Sequence, residues 1–251
     1  MRKKTNILHY PLLMIGLFLV FASSCKKDGD NLASDNPTNG KTTTVFNSTL
    51  NYGTMTDQDG NVYKTITIGK QIWMAENLRT TKYNDGTSIP NIRSNSEWEN
   101  TTIGAYCNYN NTSSNDTIAT FGRLYNWHAV NTGKLAPTGW HVSTDAEWTT
   151  LTEYLGGENV AGAKLKETGT THWVAPNESA TNETGFSALP GGNRDDYNGY
   201  IGFIGYYGSW WSATELNASD AWDRGMGYDY SNISKNSSSK KAGFSVRCLK
   251  N

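Results

Sequence analysis

Residues 136–157 read APTGWHVSTDAEWTTLTEYLGG, and several local signals agree there. Pro137 and Gly139 spell a turn, after which Trp140, His141 and Val142 run briefly extended. Thr144 stands three residues ahead of Glu147. At that spacing the hydroxyl takes a free helix N–H and the carboxylate reaches back to the cap. Asp145 adds negative charge to the first turn, where the helix dipole favours it. Trp148, Leu151 and Leu155 share one face at helical spacing, and Gly156-Gly157 ends the element. The stretch predicts a short strand feeding a capped helix whose apolar stripe belongs to a core.

On both sides of this helix the pattern changes to period two. VYKTITI at 62–68 alternates, Gly69-Lys70 turns the chain, and residues 71–78 return as a second strand. A helical turn carrying Trp98 is expected over 95–100, a strand over 104–109 and a polar loop over 110–117. Residues 121–130 (FGRLYNWHAV) are apolar enough for either helix or strand. Residues 159–167 suit a second short helix. Beyond them lies a Gly-, Asn- and Tyr-rich region over 185–209, followed by three closing strands at 209–214, 221–228 and 244–249.

The chain opens on a different composition. Arg2, Lys3 and Lys4 precede an apolar run from Pro11 to Phe21 that is short for a membrane span. The run stops at Ala22-Ser23-Ser24-Cys25, which resembles the lipobox of bacterial lipoproteins, with Ala22 where that family usually has Leu. Residues 1–24 are thus expected to be a signal peptide and Cys25 the lipidated mature N-terminus. An ordinary secretory signal with an unmodified Cys25 is the rival reading. Of the 22 basic side chains three leave with the signal peptide, so the mature chain carries 19 against 23 acidic, a net charge of −4. That balance offers no basic footprint for nucleic acid. Residues 25–44 are nearly all polar and predict a flexible tether. Residues 45–251 then form one domain.

Seven phrases recur in a fixed order: DQDGNVYKTITIGKQIWMAENLRT, FGRLYNWHAV, PTGWHVSTDAEWTTL, AGAKLKETG, TGFSALPGGNRD, WWSATE and GFSVRCLK. By them the chain is identified as a member of the Fibrobacter succinogenes major paralogous domain family, found on secreted proteins and lipoproteins. That family has no settled biochemical activity. More remotely, the GWHVSTDAEW start of the helix and the closing GFSVR are similar to formylglycine-generating enzymes and C-type-lectin-like folds. The likeness implies a compact, irregular α+β domain with two short helices, a small twisted antiparallel sheet and long ligand-bearing loops.

Once Cys25 is lipidated, Cys107 and Cys248 are an even pair in an exported domain, which implies a disulfide; the family phrases carry Cys at both places. Such a bridge would contribute about 4–5 kcal/mol in the chain-entropy model. The paired reactive cysteines of formylglycine-generating enzymes are absent, so an enzyme of that type is the weakest reading. Asp57-x-Asp59-Gly60-Asn61 lacks the spaced oxygens and closing Glu of a calcium loop and reads as a turn before a strand. His128, His141 and His172 have no metal spacing. The sequence therefore implies no metal, cofactor or catalytic residue.

The candidate ligand surface is the polar–aromatic loop holding Asn193, Arg194, Asp195, Asp196, Tyr197, Tyr200, Tyr206 and Tyr207. Flat rings flanked by amides and carboxylates suit sugars, because the ring stacks on C–H faces while the planar groups bind hydroxyls. Trp210 and Trp211 are either core or part of that surface. The expected function is a non-catalytic lipoprotein of the bacterial cell envelope, outer membrane or cell surface, binding glycans or other surface ligands. A structural or adhesin-type module that binds protein is the alternative.

Overall fold

The period-two stretches and the capped helix come together in a computed structural model that describes residues 1–2 and 36–251. Contacts divide the chain into Met1–Asp30 and Asn31–Asn251, and every element below belongs to the second unit. The expected signal peptide and the lipid site at Cys25 lie outside the described residues, apart from Met1 and Arg2.

The fold is α+β with strands predominating. Strands β1 (Gly53–Thr56), β2 (Val62–Ile68) and β3 (Gln71–Met74) are followed by helix α1 (Asn95–Asn100), β4 (Tyr106–Cys107), α2 (Asn115–Phe121), β5 (Leu124–Tyr125) and α3 (Trp127–Val130). Then come β6 (Trp140–Val142), α4 (Asp145–Tyr154), α5 (Glu158–Leu165), β7 (Gly191–Arg194), β8 (Ile201–Ile204) and β9 (Tyr207–Glu215). Last are β10 (Asp220–Gly227), β11 (Ser234–Ser239) and β12 (Cys248–Lys250). A first sheet has the order β1-β2-β3-β12-β6 and a second β11-β10-β9-β7-β8, while β4 and β5 pair alone. All ladders are antiparallel except β7 with β9, which meet in parallel at Gly192 and Gly208.

Helix α4 forms as its sequence dictates. Thr144 Oγ1 accepts from the Glu147 amide at 3.3 Å, and the Thr144 amide donates to Glu147 Oε2 at 2.8 Å. Its stripe is core: Trp148 is fully buried, 4.8 Å between ring centroids from Trp73 of β3 and 5.8 Å from Phe186. Truncating such a side chain costs about 3–5 kcal/mol. Gly156, at φ +100°, stops the helix where an L side chain would be strained.

Strand β3 ends at Met74, four residues short of the expected Leu78. From there the chain dives inward, because the polar side chains bond interior groups rather than a ladder. Asn77 Nδ2 donates to the Phe121 carbonyl at 2.9 Å, and Arg79 Nη2 to that of Val62 at 2.7 Å. The C-terminal segment joins both sheets. Buried Arg247 donates to the carbonyls of Met74 and Phe186, both at 2.9 Å, and to Ser187 at 3.1 Å. Its neighbours bridge Tyr125 to Phe244 and Trp210 to Ser245, so the expected strand over 244–249 is ladder only at Cys248–Lys250.

Other expectations are corrected. Among the described residues, five α-helices and two five-stranded sheets stand where two helices and one small sheet were implied. The loop expected over 110–117 contains the start of α2, which Ser114 caps. The tether expected over 25–44 does not extend to residue 44. Buried Thr38 donates to Asn61 Oδ1 at 2.9 Å and accepts from Arg79 Nε at 3.0 Å, and the Thr43 amide donates to Thr120 Oγ1 at 3.0 Å. Polar side chains here serve as a strap along the domain. The Cys107–Cys248 bridge is not formed: both are free, buried thiols. Cys107 belongs to the β4–β5 pair and Cys248 to the first sheet, in separate apolar clusters.

Candidate functional site

Strand β10 ends Arg-Gly-Met-Gly, and its two glycines put no side chain of their own on one face of the second sheet. Gly225 pairs with Ser209 of β9 and Ser234 of β11, and Gly227 with Tyr207. A methyl group on Gly225 would stand 2.8 Å from Ser234 Oγ and 3.1 Å from Asn236 Nδ2; one on Gly227 would stand 2.3 Å from the Tyr230 ring. Above this floor lies a groove of about 280 Å³ walled by Phe203, Tyr207 and Tyr230, with Asn193, Asn236 and Ser209 as polar lining. Phe203 is 53% exposed. Its backbone sits at φ +66°, a region that bulky residues avoid unless the surroundings hold them there. Phe203 and Tyr207 meet edge to face at 5.9 Å, so each ring fixes the other.

Beneath the polar side lies Asp223, 2% exposed. Ser238 Oγ donates to its Oδ1 at 2.9 Å and Asn236 Nδ2 to its Oδ2 at 3.4 Å. Burial pushes the Asp223 carboxyl above its ordinary range, against the bonds from Ser238 and Asn236 and the charge of Arg224. Asn236 Nδ2 also reaches Ser234 Oγ at 3.0 Å, so the amide that faces the groove is already oriented. A second cleft, of about 330 Å³, shares Asn193 and continues past Asp195, Asp196 and Ser237. Together the groove and the cleft offer aromatic faces, amides, hydroxyls and carboxylates.

The predicted ligand residues divide. Asn193 and Tyr207 line the groove, and Asp195 and Asp196 line the adjoining cleft. Asp195 Oδ1 also accepts from the amides of Tyr197 and Asn198 at 2.9 and 3.0 Å, which shapes the turn. Arg194 is not at the surface. It is fully buried, its guanidinium 4.4 Å over the Trp98 ring, donating to the carbonyls of Ile92 at 2.5 Å and of Gly199 and Ser94 at 3.0 Å. The guanidinium is spent on main-chain carbonyls, which makes it a structural strut. Tyr197 is 81% exposed, Tyr200 folds over Gly202, and Tyr206 packs edge-on against Tyr228 at 5.4 Å, so none of these lines the groove. Trp210 and Trp211 are buried core. Tyr230, Ser209, Ser234 and Asn236 escaped sequence reasoning, while Phe203 lies inside the expected 193–207 loop without having been singled out. The Gly-x-Gly of β10, unsuited to a strand interior unless something approaches the backbone closely, was the available signal.

Two of the three domain histidines join carboxylates. His141 Nε2 lies 2.8 Å from Glu147 Oε1, and His172 Nδ1 lies 2.7 Å from Glu167 Oε2. Among the described residues, no three His, Cys, Asp or Glu side chains are placed to hold a metal ion. Asp57 instead accepts from Tyr63 Oη at 2.6 Å and from the Asn61 amide at 3.0 Å, as a turn residue does. Burial pushes the Cys107 thiol up to about 11 and raises that of Cys248 as well.

A family model described as the Fibrobacter succinogenes major domain matches residues 66–250, which include β3 through β12 and every residue of the groove. The chain belongs to the Fibrobacter succinogenes major domain family. No curated protein and no solved structure matches it. The strap, β1 and the first four residues of β2 precede the Fibrobacter succinogenes major domain match, although they are packed onto the same body.

Proposed function

We propose that this member of the Fibrobacter succinogenes major domain family is a cell-surface lipoprotein that binds glycans, without turning them over, in the groove over β9, β10 and β11. One observation carries the reading: Phe203 and Tyr207 are held exposed beside a glycine-lined floor, next to the Asn236 amide that the fold has already oriented. Phe203, Tyr207 and Tyr230 provide faces for sugar C–H groups, and Asn193, Asn236 and Ser209 provide donors and acceptors for hydroxyls. Rings with two χ angles lose little entropy on gripping a ligand. Single-site affinity is weak for so open a groove, and crowding of anchored copies compensates through multivalency. The C-type-lectin-like organisation belongs to the same proposal, supported by the α4–α5 pair and by the long loop between α5 and β7. Anchoring through Cys25 rests on the apolar run that ends in ASSC. Among the described residues no helix is long and apolar enough to cross a membrane.

A glycan array probed with the full chain tests the reading, with Tyr207→Ala as the control. Binding of at least one glycan by the parent and not by Tyr207→Ala is expected. An array blank for both at high protein density would overturn it, and recovery of a protein ligand that Tyr207→Ala also loses would favour the adhesin alternative.

A further inference from the structure

A second site lies away from the groove, where the strap crosses the loop after α5. His172 Nδ1 is 2.7 Å from Oε2 of Glu167, and His172 Nε2 is 2.9 Å from Oγ1 of Thr43. Glu167 is fully buried, and its other oxygen accepts from the Val45 amide at 2.5 Å. Its backbone is fixed as well, since Asn177 Nδ2 donates to the Glu167 carbonyl at 2.8 Å. The imidazole is steadied edge-on by Phe121 at 5.5 Å. Thr43 itself is exposed. Hydroxyl, imidazole and buried carboxylate thus lie in hydrogen-bonded series, with the outer member open to solvent. That is the arrangement by which an adjacent base activates an otherwise weak hydroxyl nucleophile.

The hydrogen bonds give the series a direction. With the ring proton on Nδ1 facing Glu167, Nε2 is an acceptor, so Thr43 donates to it. Thr43 Oγ1 then has a lone pair for the hydroxyl of Thr120, 3.0 Å away and 2% exposed. A brace would not need this bond. The Thr43 amide to Thr120 and the Val45 amide to Glu167 already pin the strap. Beside His172 opens a cleft of about 530 Å³ lined by Tyr109, Asn110, Thr117, Phe121 and Ile204, with no charged side chain.

We propose that Thr43, His172 and Glu167 hydrolyse neutral esters of small carboxylic acids that reach exposed Thr43 from solvent, beside the cleft that His172 lines. Thr43 Oγ1 attacks the ester carbonyl carbon as its proton passes to His172 Nε2. Collapse of the tetrahedral adduct breaks the bond to the alcohol oxygen, which leaves with the proton from Nε2. Water, deprotonated by the same nitrogen, then cleaves the acyl-threonine to free acid and restores the hydroxyl. Thr43 and His172 are the catalytic residues, and Glu167 is a positioning residue that holds the ring. The proposal goes beyond glycan binding and does not depend on it, since no relay residue lines the groove. Thr43 also precedes the stretch that defines the family.

The test uses the full chain with p-nitrophenyl acetate and maps the acetyl adduct by mass spectrometry of the quenched protein. Turnover with an adduct on Thr43 is expected. Thr43→Val, isosteric and at an exposed position, loses roughly 100-fold or more in kcat, within the range for removing a positioned nucleophile–base step. Thr43→Ser retains activity. Glu167→Gln lowers kcat with KM little changed, and added imidazole restores turnover to His172→Gly. Should any variant fail to fold, a fluorophosphonate probe on the unmodified protein decides by labelling Thr43 or not. No adduct or label on Thr43, or equal turnover by a folded Thr43→Val, overturns the proposal.

Discussion

The ring of Tyr230 lies across the bare Cα of Gly227, so close that a methyl group there would stand 2.3 Å from Cε1. The absence of one side chain thereby positions another, and a wall of the groove depends on it. Gly227→Ala is expected to push Tyr230 aside and weaken binding of an array-identified glycan roughly tenfold, or about 1.4 kcal/mol. Titration calorimetry beside thermal melting checks this. Unchanged affinity in a folded variant would remove Tyr230 from the site.

Arg194 and Trp98 make the opposite kind of pair, a cation over a ring with no solvent between them and the core. Arg194→Ala leaves the carbonyls of Ile92, Ser94 and Gly199 without their donor and is expected to destabilise by about 3 kcal/mol or more. Tyr197→Ala, at an 81% exposed position, is expected to stay within about 0.5 kcal/mol of the parent. Urea unfolding of both separates strut from surface. A mild Arg194 effect would return that residue to the candidate ligand contacts.

Cys107 and Cys248 are expected to behave as inert thiols. Burial holds Cys107 at about 11, far from thiolate at neutral pH, so Ellman's reagent should find no reactive domain thiol in the folded chain and two after denaturation. The melting temperature should be the same with and without reductant. A reductant-dependent fall would reinstate the bridge.

Asp223 makes stability depend on pH. The carboxyl of an unfolded chain ionises near 3.8, whereas burial holds the folded one higher. Across that interval the folded state binds more protons, so the contribution of Asp223 is fully present below about 3.8 and is lost as pH rises through the folded value. Asp223→Asn keeps an acceptor for Ser238 and cannot titrate. The stability of the parent relative to this variant should therefore fall as pH rises above about 3.8 in urea titrations. A difference that grows with pH would contradict the assignment.

Much of this was legible wherever the determining forces are local. The capping box at Thr144 and Glu147, the helical spacing of Trp148 and Leu151, and the alternation of Val62–Ile68 each require only neighbours within a turn or a pleat, and all three form as read. The family is equally plain from ordered phrases. Strand β11, SKNSSS, carries no apolar residue and no strand signal of its own; it is a strand because β10 presents a ladder to it. Arg194 sits in a run that reads as a polar loop, yet it is buried because carbonyls of Ile92 and Ser94, about a hundred residues away, need its donors. The groove's Phe203, Tyr230 and Asn236 come from three separate segments, and Thr43 meets Glu167 and His172 from more than a hundred residues away. Local sequence determined which segments become helix and strand. Which side chains meet was decided only by tertiary packing, because burial and hydrogen-bond satisfaction are settled between residues far apart in the chain.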